Sequence, residues 1–584
     1  MFCTFRAQKL CIFSCLVTIR SNAKKIDEKL ANIKVCDPAI GSGAFPVGMM
    51  SEIVRARNAL TPFIKDKDRS VYNFKRECIE NSLYGVDIDP GAVEIAKLRL
   101  WLSLVVDEDD IKQIKPLPNL DYKIVCGNSL LGVEKNLFNE NLFSELERLK
   151  PLYFNETNPT KKQEYKKQID DLISQITNGH SEFDFEVYFS EVFHEKGGFD
   201  VVITNPPYLL LQNSNYPKSI ITSLSNIYIC AQYKVDTYHL FIEKGINVIH
   251  KSGTIAYITP NTFMKNKHTS KLRELIHENV LLRNVLLFYI PVFEDPSVDI
   301  TVFVGVKNIN KIIHNNIIHI HEIKNNFNDE VQVFRKYNQS KIKSPEYIFQ
   351  FDASEHEEMF LSKLKLSTKN LGDIAKTYFG IQTHDRNKYV SSKKISNTFR
   401  PVIDGGNIFR YYITQPVEFV DFRPKNIKSG GSEEIFKKER IVVRQIGKYP
   451  EGSICPNNLL TLNTVYNIYL IKNEYNLKYL LGIINSKLIK YYWMKSFYDN
   501  KNTFPKIKKI PLESIPIKEA TSLEQKAIIV LVDNILSITH SEDYLQNQSK
   551  QAKVKQYEKK IDRMVYELYG LTEEEIKIVE GESQ

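Results

Sequence analysis

The chain has 584 residues, of which 42% are hydrophobic and 26% charged, with a formal net charge of +9. That balance belongs to a soluble globular protein of several domains and excludes a disordered or low-complexity chain. Eight cysteines with no Cys-x-x-Cys pair and no regular spacing leave a disulfide scaffold and a zinc site unsupported, so a reducing cytoplasm fits best.

Residues 1–30 read as an atypical leader. The apolar run Leu10–Ile19 follows Arg6 and Lys9, which imitates a signal peptide, but no small-residue cleavage site comes after it. The run is too short to span a bilayer, and no other segment suggests a membrane span. From Ile33 to about Lys307 short apolar strands alternate with helical stretches, which predicts an α/β domain with a largely parallel sheet over residues 31–345. Its expected strands are Ile33–Cys36, Leu83–Val86, Tyr122–Val125, Val201–Thr204, Thr254–Ile258, Asn284–Tyr289 and Thr301–Val306. Charged helical sequence over residues 135–179 interrupts the alternation as an inserted helical pair. From about Leu371 the style changes to aromatics, Asn, Lys and short strand-like runs, and residues 367–517 form a second expected domain of mixed α+β type. That segment holds 25 Lys and Arg against 12 Asp and Glu, while the rest of the chain holds 54 against 58. A basic surplus confined to one segment suits binding to a polyanion such as duplex DNA; a Lys-rich composition with solvated faces is the plainer alternative. Residues 518–584 read as a helical C-terminal segment.

Two segments suggest an adenosyl ligand. In Asp37-Pro38-Ala39-Ile40-Gly41-Ser42-Gly43-Ala44-Phe45 a strand ends on an acid, turns through glycines and enters a helix expected from Val47 to Leu60. Glycines permit a tight turn and close backbone approach to a ligand, and the helix start favours a carboxylate. Farther on, Asp87 and Ile88 end the next strand, where a carboxylate suits ribose hydroxyls. Asp87 as a cap for the helix beginning near Pro90 is the alternative. There is no Gly-x-Gly-x-x-Gly and no phosphate-binding Lys. The chemistry is read from Asn205-Pro206-Pro207-Tyr208, directly after the strand Val201–Thr204. The prolines stiffen the loop and remove amide donors, so the Asn205 side chain and the Pro206 carbonyl can both accept from one amino group. Held that way, the amine points its lone pair at a methyl sulfonium, and alignment supplies much of the rate. Tyr208 offers a face for a flipped purine.

Asp-Pro-Ala-Ile-Gly-Ser-Gly-Ala-Phe, then Tyr84-Gly-Val-Asp-Ile-Asp-Pro90, then Thr204-Asn-Pro-Pro-Tyr208 resembles the gamma-type amino-methyltransferases, in which the cofactor motif precedes the catalytic one. The type IIG restriction-modification family is the nearest likeness. The resemblance implies a Rossmann-like methyltransferase domain, S-adenosylmethionine as cofactor with no metal, and methylation of the adenine N6 amine at a specific site in DNA. It further implies that Asn128, Ser129 and Leu130 lie along the cofactor adenine and that Phe293 packs against the extruded base. Asp236-Thr-Tyr-His-Leu-Phe241 and Gly253–Pro260 resemble the family's next two motifs. Leu371–Thr383 resembles the opening of a target-recognition domain. In that domain Lys506, Lys508 and Lys509 alternate in a strand-like run, which points at least two toward DNA phosphates; solvated edge-strand lysines are the alternative. Asn128 stands where relatives often carry Asp. The family's upstream cofactor motif and N-terminal nuclease have no counterpart in residues 1–32, so reduced activity and a separate nuclease or specificity partner are expectations. A cytosine-N4, RNA or glutamine methyltransferase, and a non-catalytic DNA-binding remnant, are the competing readings.

Overall fold

Nine strands between residues 35 and 338, most of them apolar, pair into one sheet among the described residues of the computed structural model. The structure describes residues 18–66, 68–106, 120–132, 140–156, 158–177, 183–213, 216–232, 234–293, 298–311, 313, 315–324, 333–352, 355–366, 368–430, 432–497 and 505–581. The expected leader lies outside them except for residues 18–30, which belong to a helix over 18–31. The chain forms two compact units, Met1–Asp352 and Ala353–Gln584.

The strands of the first unit are β1 (Val35–Asp37), β2 (Leu83–Asp87), β3 (Ile124–Cys126), β4 (Phe199–Thr204), β5 (Ile249–Pro260), β6 (Val280–Phe288), β7 (Ile300–Lys307), β8 (Ile317–Ile323) and β9 (Val333–Asn338). Their order is β3-β2-β1-β4-β5-β7-β6-β8-β9. The pairs from β3 to β5 are parallel, and β7 runs antiparallel to both its neighbours. This is the expected Rossmann-like α/β arrangement. Strands covered on both faces carry unbroken apolar runs, and β1 is buried at every position. Chain order reverses between β1 and β4, which opens a crevice at their carboxyl ends.

The helix Ala44–Leu60 follows β1, and Pro90–Val105 follows β2. Arg57 and Arg69 both reach the carboxylate of Asp27, tying the helix over 18–31 to this layer. The expected insertion is a helical pair, Glu140–Asn155 and Pro159–Ile176, which shares a small core of Leu146, Leu149, Tyr153, Ile169 and Ile173. Strands β8 and β9 were not among the expected ones. In β8, buried Ile318 and Ile320 alternate with histidines, so its apolar pattern is broken by polar residues.

The second unit is of α+β type. One four-stranded sheet orders Ala375–Phe379, Val465–Leu470, Arg440–Arg444 and Gly452–Cys455. Another orders Val390–Ser391, Glu418–Asp421, Phe399–Ile403 and Leu460–Thr461. The helices Ser522–Thr539 and Gln548–Tyr569 join the first sheet's core, where Ile528, Val532 and Ile561 belong with Ile441, Ile468 and Leu480. Among the described residues, no helix is long and apolar enough to cross a membrane.

Candidate active site

The ends of β1, β2, β3, β4 and β6 lie at one edge of the sheet, because β6 and β5 are both antiparallel to β7 and so run the same way. The loops leaving that edge hold Asp37–Phe45, Asp87–Ile88, Asn128–Leu130, Asn205–Tyr208 and Phe293. The sequence-predicted residues of the first unit therefore share one edge.

The first loop turns through Gly41 at φ 52° and Gly43 at φ 80°, a left-handed backbone that side chains with a Cβ rarely adopt. A Cβ on Gly43 would also stand 3.0 Å from that of Ala96, whereas one on Gly41 would meet nothing within 4 Å. The helix Ala44–Leu60 starts at Gly43 with no side-chain cap. Its first amides are therefore available to an anionic group. Ser42 and Ala44 are exposed, Phe45 half-buried, and the Ser42 hydroxyl accepts from Arg99 at 3.0 Å.

Asp37 is fully buried. Its Oδ1 accepts from the Ala39 amide at 3.0 Å, but Oδ2 has no hydrogen-bond partner. Burial pushes its carboxyl up to about 7, and the charge of Asp87 adds to that push. The Thr204 hydroxyl at the end of β4 tempers the shift, although it too makes no hydrogen bond of ordinary geometry. Two orphaned polar groups thus meet at the reversal between β1 and β4. Buried polar atoms without partners are costly, by roughly 1–3 kcal/mol each.

Asp87 accepts from the Gly41 amide at 2.8 Å and from the Asp89 amide at 3.0 Å. The helix beginning at Pro90 is capped instead by Asp89, which accepts from Gly91 at 2.8 Å. Asp87 is therefore free of the capping role and pins the glycine turn. Beside it Ile88 is 62% exposed, an apolar platform at a strand end. In the third loop the Ser129 hydroxyl donates to the Pro38 carbonyl at 2.6 Å, and Asn128 accepts from the Leu130 amide at 3.1 Å. Tyr228 donates to the Leu130 carbonyl at 2.8 Å.

In the loop after β4 Asn205 and Pro207 are exposed, Pro206 is buried and Tyr208 half-buried. The Thr237 hydroxyl donates to the Pro207 carbonyl and accepts from the Leu209 amide at 3.1 Å. The Thr237 amide returns a bond to the Leu209 carbonyl at 3.0 Å. This clasp holds the back of the loop to the start of the helix Thr237–Val248. Next to it Asp236 keeps an unpartnered Oδ1, and burial pushes its carboxyl up to about 6. Burial depresses His239 to about 3, so its ring is neutral at physiological pH. Thr204, Asp236 and Thr237 had been given no role from sequence. The last two lie in the Asp-Thr-Tyr-His-Leu-Phe motif, whose position after the Asn205–Tyr208 loop is their only signal. Phe293 is half-buried in the turn after β6.

In the second unit the strand-like reading of Lys506, Lys508 and Lys509 needs correction at Lys509. Lys506 makes only an isolated bridge to Ile446, Lys508 is the residue before a helix, and Lys509 begins that helix, Lys509–Glu513. Pro511 is tolerated in a first helical turn, and the turn buries Leu512 under the sheet. Lys506 and Lys508 are exposed on either side of buried Ile507, while Lys509 turns away and pairs with Glu513 at 3.7 Å. Elsewhere in this unit Tyr378, Phe379, Gln382, Lys438, Gln445 and Tyr469 line a hollow of about 690 Å³.

Residues 81–293 match the Eco57I restriction-modification methylase family, and residues 400–517 match the TaqI-like C-terminal specificity domain. A protein of Methanocaldococcus jannaschii named type II restriction enzyme and methyltransferase RM.MjaORFECS2P is 24% identical over 589 residues, covering 84% of this chain and 49% of that protein. The type II restriction enzyme and methyltransferase RM.Eco57I of Escherichia coli is 26% identical over 399 residues, covering 64% of this chain and 34% of that protein. The chain thus spans about half the length of the first relative and about a third of the second. The fold is similar to that of the Type IIL restriction-modification enzyme MmeI, solved in complex with DNA, with a TM-score of 0.59 at 12% identity over 95% of this chain and 73% of that one.

Proposed function

We propose that this chain, which joins a methylase domain of the Eco57I restriction-modification type to a TaqI-like specificity domain, transfers a methyl group from S-adenosylmethionine to the N6 amine of adenine at a specific site in duplex DNA. The observation that carries the reading is the unpartnered Oδ2 of the Asp37 carboxylate at the reversal between β1 and β4, one strand from Asn205. A buried acid with an empty oxygen fits the ammonium of the cofactor's methionine end. The uncapped helix start at Gly43 fits its carboxylate, Asp87 its ribose hydroxyls, and exposed Ile88 its adenine.

Bound there, the cofactor would supply a methyl group activated by a sulfonium. The protein's own residues do the rest. Asn205 and the Pro206 carbonyl accept from the two protons of the target amine and fix its lone pair toward the crevice. The Thr237 clasp keeps that loop from recoiling. Tyr208 and Phe293 hold the extruded base by its faces. No strong base is required, because the amine's proton can leave to solvent after the new bond forms, and the neutral His239 is consistent with that. Lys506 and Lys508 would hold phosphates, and the amides lining the second unit's hollow would read base edges.

The test is expression in a host that lacks adenine methylation, followed by mapping of modified bases in its DNA. N6-methyladenine at one recurring sequence is expected. N4-methylcytosine, or methyl groups on RNA or protein instead of DNA, would overturn the assignment.

A further inference from the structure

The hydroxyl of Tyr208 sits between two partners. It lies 2.7 Å from the Asn205 side-chain amide at Oδ1 and 3.0 Å from the backbone carbonyl of Ile258 in β5. Both separations are hydrogen-bond distances, and each needs one proton between its heavy atoms. Tyr208 owns a single hydroxyl proton. The Ile258 oxygen can only accept, so the contact with it takes that proton. The contact with Asn205 must then draw its proton from the amide. The two ends of a primary amide are alike in size and shape, and the hydrogen-bond network decides which end faces which neighbour. The balance closes in one arrangement: Tyr208 donates to Ile258, the Asn205 –NH₂ donates to Tyr208, and the Asn205 oxygen faces outward.

The opposite arrangement fails on both counts. It would leave two bare oxygens 3.0 Å apart at Ile258. It would also turn the Asn205 –NH₂ toward the incoming amine, donor against donor. The hydroxyl stays protonated for this task, since burial pushes it above the ordinary tyrosine range and the charge of Asp236 pushes it further. The edge-on contact with buried Tyr238, with ring centroids 6.0 Å apart, holds the ring where both bonds are made.

We propose that the Tyr208 hydroxyl is a positioning group that locks the Asn205 amide with its oxygen toward the target amine. This is a task separate from the ring's stacking on the base, and it rests on the methyl-transfer reading above. Ring and hydroxyl can be separated by substitution. Tyr208→Phe keeps the face and removes the lock, so the amide would sample both orientations with no neighbour to choose between them.

Single-turnover methylation by the full chain should fall about tenfold or more in Tyr208→Phe, a fraction of what loss of the acceptor itself would cost. Cofactor and DNA affinities, and extrusion of 2-aminopurine placed at the target position, should stay within twofold. In an Asn205→Asp background the same change should cost less than twofold, because a carboxylate presents an oxygen at either end. A Tyr208→Phe enzyme at the parent rate, or one that loses rate together with base extrusion, would overturn the proposal; so would equal losses in both backgrounds. Neutron diffraction from perdeuterated crystals asks the same question without turnover. Deuterons on the Asn205 nitrogen facing Tyr208 and on the hydroxyl facing Ile258 are expected, and the reverse placement refutes the lock. Absence of any methylation by a chain with that placement would count against the methyl-transfer reading and not against the lock.

Discussion

The turn from Asp37 to Phe45 and the loop from Asn205 to Tyr208 both leave parallel strands at the same sheet edge, yet they are built in opposite ways. The first uses glycines at positive φ and an uncapped helix start, so it presents backbone donors around one buried acid. The second uses prolines, which have no amide proton, and it is clasped from behind by Thr237 and Tyr208, so it presents acceptors. A donor cradle suits an amino-acid carboxylate, and an acceptor pair suits an amine. The difference teaches that neighbouring loops of one sheet can present opposite hydrogen-bond polarity through backbone composition alone.

The contrast breaks most visibly at Asn205. Asn205→Ala should lower the single-turnover rate by about a hundredfold or more while cofactor and DNA affinity stay within a few-fold. Methylation at the parent rate would remove the acceptor role.

Asp37 is the next test, through pH. Its raised folded value means that the neutral acid is the form favoured in the empty pocket, whereas an ammonium needs the ionised one. Cofactor affinity should therefore rise about tenfold per pH unit up to about pH 7 and then level, with proton release on binding below that point. In Asp37→Asn the rise should vanish and binding should weaken. Folding without cofactor takes the opposite sign: the contribution of Asp37 to stability is greatest below the unfolded carboxyl value of 3.8 and is lost as pH climbs toward about 7. Calorimetry across pH 5–8 measures the binding half, and thermal melts the folding half.

Gly43→Ala sharpens the donor side. Its Cβ would crowd Ala96 at a backbone conformation that costs roughly 1–2 kcal/mol for an L-residue. Cofactor affinity should drop about tenfold, with the rate at saturating cofactor changed less than threefold. A selective fall in that saturating rate would show that the turn acts on chemistry as well. The smallest effect is expected from Thr237→Val, which removes two hydrogen bonds, one to the Pro207 carbonyl and one from the Leu209 amide, together worth about 1–2 kcal/mol. Rate should fall about three- to fivefold with cofactor binding unchanged. A matching loss of cofactor affinity would mean that the two loops are mechanically joined.

Much of this was legible in the chain before folding. Strand, acid, glycine turn and helix follow one another between Val35 and Leu60, and a proline pair follows an apolar strand at Asn205, because backbone-limited residues leave their mark on sequence directly. The seven expected strands all recur, within several residues at their ends. Lys509 misled because alternating lysines and isoleucines suit a strand as well as one helical turn, and only the burial of Leu512 chose between them. What sequence alone determined, then, was the order of the motifs and the backbone character of each loop. Tertiary structure decided which polar groups are spent and which are left open. The empty Asp37 oxygen, the bond from Ser129 to Pro38, the Thr237 clasp and the carbonyl of Ile258 under Tyr208 all join segments that are distant in the chain. Several of these partners are backbone carbonyls, which every residue carries, so no residue type could have announced them.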